Sequence, residues 1–384
     1  MRARGARRIL LLLGGLALVG MGLALIAETV LRTYPQLMPE TARLRLHWRE
    51  LAADGMGMLP HPYVGFTYPP NLHGEVRRDD FGFTFRTDER GFRNAEPWPA
   101  RADIVVLGDS HTFAYGVDDD QAWTRLVADA LPRQRLVNLG LIAASTRQYV
   151  RIYETFGREL EPALVVLMLF PGFALEATSE FESWLDAGQP GDFEEWRFKD
   201  ADLEPGLKLA KRAVESSYLL LYLHQSVQDL TSPHPGRSIS FPRGQRMELV
   251  PAVYASNAAR ATPDHPEFTL VLAALDELRR QAAQDGASFL ILLMPTKEEI
   301  YLPQLGAAAP SATATFISAL TERGVPFLDL APAFRGRAAA GEPLFFEVDI
   351  HPNAAGNRLI AEVVLEHLRR NAERYGLAEL DVGS

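Results

Sequence analysis

Residues 104–111 read I-V-V-L-G-D-S-H. The four apolar residues Ile104–Leu107 fit a short buried strand, and Gly108 ends it. Asp109, Ser110 and His111 then fall on a strand-to-helix turn, because helical periodicity follows over Ala122–Leu131. The pattern repeats downstream. Leu136–Asn138 reads as a second strand, Thr146–Leu160 as an amphipathic helix stopping before Pro162, and Ala163–Leu169 as an apolar run of strand length. Past residue 262 it resumes with helix Glu267–Ala283, strand Phe289–Met294, helix Ser311–Arg323, strand Pro326–Asp329 and helix Ala354–Arg370. Strands alternating with helices predict an α/β fold, a parallel sheet with helices on both faces.

The alternation breaks over residues 173–262, which are rich in acids, aromatics and Pro. This stretch reads as an insertion, with one long helix near Leu207–Asp229 and a loop around the sequence SPHPGRS. Ahead of the sheet, residues 28–60 predict a juxtamembrane helix. Residues 61–100, with Pro, Gly, aromatics and alternating residues, predict extended or hairpin structure. The chain thus divides into a cytoplasmic start (1–8), an anchor (9–27), a lead segment (28–100), a catalytic domain (101–372) carrying the insertion, and a tail (373–384).

The anchor is Ile9 to Ala27, 19 residues without a charge. At about 1.5 Å per residue this is just long enough for a hydrocarbon core of about 30 Å. Arg2, Arg4, Arg7 and Arg8 precede it and Glu28 follows it. The positive-inside rule puts residues 1–8 in the cytoplasm and the remainder on the extracytoplasmic, periplasmic side. The rival is a cleaved signal peptide, whose apolar core is normally about 7–15 residues; no clean A-x-A site follows here.

The 384 residues carry 39 Lys+Arg and 49 Asp+Glu, a net charge of −10. Without the four N-terminal arginines, 35 positive charges face 49 negative ones. Such an acidic body repels nucleic acid, so no nucleic-acid partner is expected. There is no cysteine, which excludes disulfides, thiolate metal sites and cysteine nucleophiles. His224, His234, His265 and His367 have no partner at metal-ligand spacing, so neither metal nor cofactor is expected.

Two motifs carry chemistry. Gly108-Asp109-Ser110-His111 puts a serine outside the carboxyl end of a strand, where open α/β sheets bind ligands. Taken alone, Gly, Asp and Ser are ordinary turn residues. Asp349-Ile350-His351-Pro352-Asn353 supplies a base and a carboxylate on one short loop before the last helix. A serine hydroxyl needs a base to take its proton, and that base needs a carboxylate to fix its tautomer. The two motifs together, in the order Ser, Asp, His, are a stronger signal than either. No G-x-S-x-G elbow is present.

These blocks resemble the SGNH/GDSL hydrolase family. The resemblance rests on the strand-GDS block, on Asn138-Leu139-Gly140 after the second strand, and on D-x-H-P-N near the end. It spans about residues 101–372. RTDERGFRN (86–94), GDSHTFAYGV, MPTKEEIYLP and DLAPAFR are similar to a membrane-anchored bacterial subgroup, related to polysaccharide O-acetyltransferase-like proteins. The resemblance implies a three-layer sandwich with a roughly five-stranded parallel sheet. It implies Ser110 as nucleophile, His351 as general base, Asp349 as the group orienting it, and the N–H groups of Ser110 and Gly140 in the oxyanion hole. Asp109, His111, Asn138, Gly172 and Phe173 would line the site. One block departs: where the family has an Asn amide in the oxyanion hole, this chain has Pro171-Gly172-Phe173, and Phe173 cannot donate a hydrogen bond. Gln148, Thr178 and Ser179 are donors near in sequence.

Other residues have two readings each. His111 either touches substrate or makes a structural hydrogen bond. Asp118, Asp119 and Asp120 read as a solvated loop, with Asp120 capping the next helix, rather than as a metal site. Lys297 either contacts substrate or is a surface lysine at a helix start. Phe181, Trp184, Phe193, Trp196, Tyr218 and Tyr222 either pack the insertion onto the sheet or form a wall for an acyl group or sugar. The leading functional expectation is a membrane-anchored, extracytoplasmic serine esterase acting on an ester, an acylated glycan or a lipid. O-acyl transfer to an extracellular polysaccharide on the same triad is the alternative. A binding or scaffold module with a weakened site is the third. The oligomeric state is not legible.

Overall fold

The computed structural model describes residues 2–53, 57–95, 97–197, 213–214, 216–242 and 244–377. The chain opens with helix α1 (Arg2–Thr33), breaks around Pro35 and Pro39, and continues as α2 (Glu40–Ala53). Leu12–Thr33 is long and apolar enough to cross a membrane; residues 12–26 stand exposed all round, and Leu31 near the helix end is buried. A helix of a protein core buries one face, which residues 12–26 do not.

The lead segment is two antiparallel hairpins, Leu59–His61 with Gly65–Thr67 and His73–Arg77 with Gly82–Arg86. In the second hairpin Val76, Phe83 and Phe85 are buried while Glu75 and Thr84 face outward, the period-2 alternation of a half-buried ribbon. The expected single juxtamembrane helix over 28–60 is corrected to the end of α1, a break, and α2, because prolines interrupt it.

The α/β region then follows in order: β1 (Ile104–Gly108), α3 (Ser110–Phe113), α4 (Trp123–Ala130), β2 (Leu136–Asn138), α5 (Thr146–Ile152), β3 (Leu164–Leu169), α6 (Ala174–Asp186), α7 (Tyr218–Thr231), α8 (Pro266–Gln284), β4 (Ser288–Leu293), α9 (Lys297–Tyr301), β5 (Phe327–Asp329) and α10 (Ala354–Arg370). The five strands are all parallel, in the spatial order β2-β1-β3-β4-β5. Alternate residues of each strand feed two separate apolar layers. Val105, Leu107, Val165, Leu167, Ile291 and Leu293 face a layer with Phe268, Val271 and Leu275 of α8. Ile104, Val106, Val166, Met168, Leu290 and Leu292 face a layer with Ile360 and Val364 of α10. Both faces are therefore covered, as parallel sheets require. This is the expected three-layer α/β fold with a five-stranded parallel sheet.

Residues 207–212 and 215 of the long helix expected in the insertion lie outside the described residues, and α7 supplies its later part. The insertion holds more structure than expected: α6, a short helix Phe193–Arg197, a hairpin pairing Arg237–Ser240 with Arg246–Leu249, and helix Ala252–Arg260. α6 packs on α5 and α8. Phe181, Trp184 and Phe193 are buried among Val64 and Phe66 of the lead segment, so these aromatics are packing residues. Trp196 packs against the same layer, while Tyr218 and Tyr222 pack with Leu31, Met38 and Leu46 beside the foot of α1. Tyr375 and Leu377, from the expected tail, are buried against α10's layer; residues 378–384 lie outside the described residues.

Candidate active site

The order of strands reverses between β1 and β3, and the crevice beyond their carboxyl ends is where such a sheet binds ligands. Ser110 follows β1 and Pro171-Gly172-Phe173 follows β3, so both border that crevice. Gly108 has φ 149°, and a Cβ there would lie 2.2 Å from Thr112 Oγ1 and 2.8 Å from the Met168 carbonyl. Only glycine fits, which lets β1 turn sharply into α3. Asp109 caps this turn, its carboxylate accepting the His111 N–H at 2.9 Å. Ser110 is left partly exposed at the first helical position, where its N–H has no intrahelical acceptor.

The second half of the site is the loop before α10. Asn353 caps that helix, accepting from the amides of Ala355 and Gly356, and its side-chain amide donates back to the carbonyls of Pro343 and Phe345. The loop brings Asp349 and His351 to the crevice. Ser110 Oγ lies 2.6 Å from His351 Nε2, and His351 Nδ1 lies 2.6 Å from Asp349 Oδ1. A carboxylate only accepts, so Nδ1 carries the ring hydrogen and Nε2 offers its lone pair to the serine hydroxyl. The His351 amide also donates to Asp349 Oδ1, at 2.8 Å. Asp349 is fully buried. Burial pushes its carboxyl up, but His351 and then His47 outweigh this and hold it well below the usual carboxylate range. The group is therefore ionised at neutral pH and suited to stabilise a protonated His351.

Asp80, Lys297 and His47 hold this loop in place. Asp80, in the second lead hairpin's turn, accepts the amides of Glu347, Val348 and Asp349 at 3.0, 2.8 and 2.8 Å. Lys297 Nζ donates to the carbonyls of the same three residues at 3.4, 2.8 and 2.9 Å. Both expectations for Lys297 are thereby corrected: it is wholly buried, neither a surface lysine nor open to substrate. His47, from α2, reaches Asp349 Oδ2 at 2.6 Å. Asp80 and His47 lie in the lead segment with no motif to mark them, and the loop atoms they and Lys297 hold include backbone atoms that no sequence pattern reveals.

The stretch RTDERGFRN clamps the other half. Arg93 is buried and donates to the carbonyls of Phe113, Ala114 and Val117 and to Asp119. Asn94 exchanges two hydrogen bonds with the backbone of Asn138. Asp118 accepts from the amide and hydroxyl of Thr84. The expectation that Asp120 caps α4 is corrected, because the cap position is Ala122 and no side chain caps it.

The expected oxyanion donors are less complete than the motif suggests. Gly140 sits where a Cβ would meet Thr112 and the Phe113 nitrogen at 2.7 Å, which explains the glycine. Its amide, however, already donates to Asn138 Oδ1 at 2.8 Å, so the amide of Ser110 is the uncommitted one of the pair. Asn138's own side-chain amide donates to the Thr112 carbonyl and to Thr124. Phe173 is half-buried against Phe170 and Tyr254, with ring centroids 5.8 and 5.3 Å apart. Gly172 lies beneath these rings. Neither Gln148 nor Thr178 stands in for the absent amide: Gln148 donates to the Val64 carbonyl and Thr178 to the Ala174 carbonyl. His111 is buried with its ring 4.3 Å from that of Phe170 and 4.9 Å from that of His351. Burial pushes its pKa down against the opposing pull of Asp109, and its Nδ1 lies 3.1 Å from Asp109.

Residues 254–381 match the family described as SGNH hydrolase-like domain, acetyltransferase AlgX. This C-terminal third is SGNH hydrolase-like. Solved structures similar to this chain include a member of the lipolytic protein G-D-S-L family from Veillonella parvula (14% identity, 70% of this chain and 98% of that one, TM-score 0.36). Others are the psychrotrophic esterase EstA from Pseudoalteromonas (13%, 70% and 98%, 0.37) and an acetylxylan esterase from Geobacillus stearothermophilus (12%, 70% and 94%, 0.37). No curated protein matches the sequence. The family match includes Asp349 and His351 and leaves out Ser110, which the fold brings to them from the end of β1.

Proposed function

We propose that this ester-acting enzyme is a serine esterase tethered to a membrane by α1, with its α/β body on the extracytoplasmic side. The observation that carries the reading is the unbroken hydrogen-bonded line from Ser110 through His351 to Asp349, at 2.6 Å for each link. Ser110 Oγ attacks the ester carbonyl carbon while His351 Nε2 takes the hydroxyl proton. Asp349 stabilises the imidazolium so formed. The carbonyl oxygen becomes an oxyanion facing the Ser110 amide. Collapse breaks the ester C–O bond, His351 returns its proton to the leaving alcohol, and the acyl group stays on Ser110. A water, deprotonated by His351, then releases the acid and restores the serine. Phe173, half-buried on the core rings of Phe170 and Tyr254, favours a small or apolar acyl group at this crevice. Hydrolysis of p-nitrophenyl acetate by the full-length chain in detergent, lost in Ser110→Ala, tests the reading; equal rates in both would end it.

A second reading, O-acyl transfer, is favoured by the match of residues 254–381 to a family described as an acetyltransferase. Here a glycan hydroxyl replaces water in the second half-reaction, and His351 deprotonates it in the same way. Acetyl donor supplied with polysaccharide acceptors separates the two: acetylated glycan indicates transfer, and free acetate alone indicates hydrolysis.

A further inference from the structure

The helix that follows the membrane segment reaches the buried carboxylate of the site. His47 lies on α2, within two turns of that helix's start, and is 7% exposed. Its Nε2 lies 2.6 Å from Asp349 Oδ2, the carboxylate oxygen that His351 does not use. Because a carboxylate only accepts, Nε2 carries a hydrogen and donates it. The ring is set edge-on to Phe81 at 5.9 Å, and Phe81 in turn packs on Phe346 at 4.4 Å, next to the Asp349 loop. α2 itself is docked through the ion pairs of Arg43 with Glu248 and of Glu40 with Arg246, and Thr41 donates to Asp229. His47 is therefore held from several sides in one orientation.

We propose that His47 is a positioning residue for the acyl-transfer chemistry, pinning the free oxygen of Asp349 so that the carboxylate plane, and through it His351, stays aimed at Ser110. The inference rests on the proposed roles of Ser110, His351 and Asp349. A carboxylate held by one histidine alone can rotate about its Cβ–Cγ bond, and its second oxygen would be buried without a partner, a state that favours protonation. A protonated or rotated Asp349 can neither fix the His351 tautomer nor stabilise its cation. With His47 in place both oxygens are engaged and the charge is retained. The site is then complete only when α2 is docked, which makes the segment joining the membrane helix to the body part of the machinery.

The test compares wild type, Ser110→Ala, His47→Ala and His47→Gln as full-length chains in detergent. Each is measured for kcat and KM on p-nitrophenyl acetate, for rate of labelling by a fluorophosphonate, and for melting temperature. Gln offers an N–H at a reach similar to His Nε2. The expected result is a fall of about 100-fold in kcat and in labelling rate for His47→Ala, with KM unchanged, since misplacing a catalytic group by about 1 Å has an effect of that order. His47→Gln recovers most of the loss. A folded His47→Ala chain with wild-type kcat and labelling overturns the proposal. So does His47→Gln that melts like wild type yet is as slow as His47→Ala, because packing rather than the hydrogen bond would then be at work. If wild type labels no faster than Ser110→Ala, the parent reading of the site fails and this inference falls with it; if wild type labels normally and only the His47 variants defy expectation, the parent reading stands.

Discussion

His351 Nε2 and Ser110 Oγ are 2.6 Å apart although 241 residues separate them in sequence. The contact is made because β1 and the loop before α10 end on the same edge of the sheet. Each residue is held by a different clamp: Asp109 and Arg93 on the serine side, Asp80 and Lys297 on the histidine side.

Replacing Asp349 by Asn keeps the side chain's shape and removes its charge. The amide can then neither stabilise a protonated His351 nor accept from His351 and His47 at once. Turnover falls by roughly 10,000-fold, the scale on which the orienting carboxylate of a serine triad acts. Steady-state kinetics on p-nitrophenyl acetate check this. A loss of only a few-fold would mean that Asp349 supports the loop without supporting the base.

Phe173 borders the crevice beside Phe170 and Tyr254 and offers it no side-chain hydrogen-bond donor. Phe173→Asn returns an amide to the crevice and raises turnover on small esters by up to about 100-fold, within the range attributed to one oxyanion donor. The same change removes ring packing on Phe170 and Tyr254 and lowers stability by roughly 1–3 kcal/mol. Unchanged turnover would show that the oxyanion is met elsewhere.

Glu248 should make stability depend on pH near neutrality. Burial pushes its carboxyl up to about 7, from an ordinary 4.5, with Arg43 opposing. Between those values the folded chain holds a proton that the unfolded chain has released. The contribution is complete below pH 4.5 and is lost as pH rises through 7, by about 3 kcal/mol at most. Thermal melts of wild type should therefore fall between about pH 5 and 8 more steeply than those of Glu248→Gln. Parallel slopes would contradict this.

The membrane reading predicts that alkaline carbonate leaves the full-length chain in the membrane pellet. Because the chain has no cysteine, a single introduced one reports topology cleanly. In Asp264→Cys, on an exposed turn, a membrane-impermeant maleimide added outside the inner membrane should react without lysis. Reaction only after lysis would reverse the orientation.

Much of the fold and half of the site are legible in the sequence. The strands at Ile104 and Leu164, the final helix, and the motifs that carry Ser110, Asp349 and His351 announce themselves through apolar runs and short blocks read within a few positions, although Ser110 and His351 themselves lie 241 residues apart. The insertion is harder to read. Its helices and hairpin bury their faces against α5, α8 and α2, so their pattern follows partners far away in sequence. His47 is silent for a related reason: its target is 302 residues away, and one histidine on a mixed helix has no local signature. Lys297 resembles any lysine at a helix start because the atoms it binds are backbone carbonyls. Gly140 fits the motif, but its amide is engaged by Asn138, a detail of side-chain rotation that spacing does not carry.

The most direct test of the central claim is intact-mass and peptide analysis after exposing the full-length chain to a fluorophosphonate. The account predicts one adduct, on the peptide containing Ser110, absent from Ser110→Ala and nearly absent from His351→Ala. No adduct on folded wild type, or an equal adduct on Ser110→Ala, would contradict it.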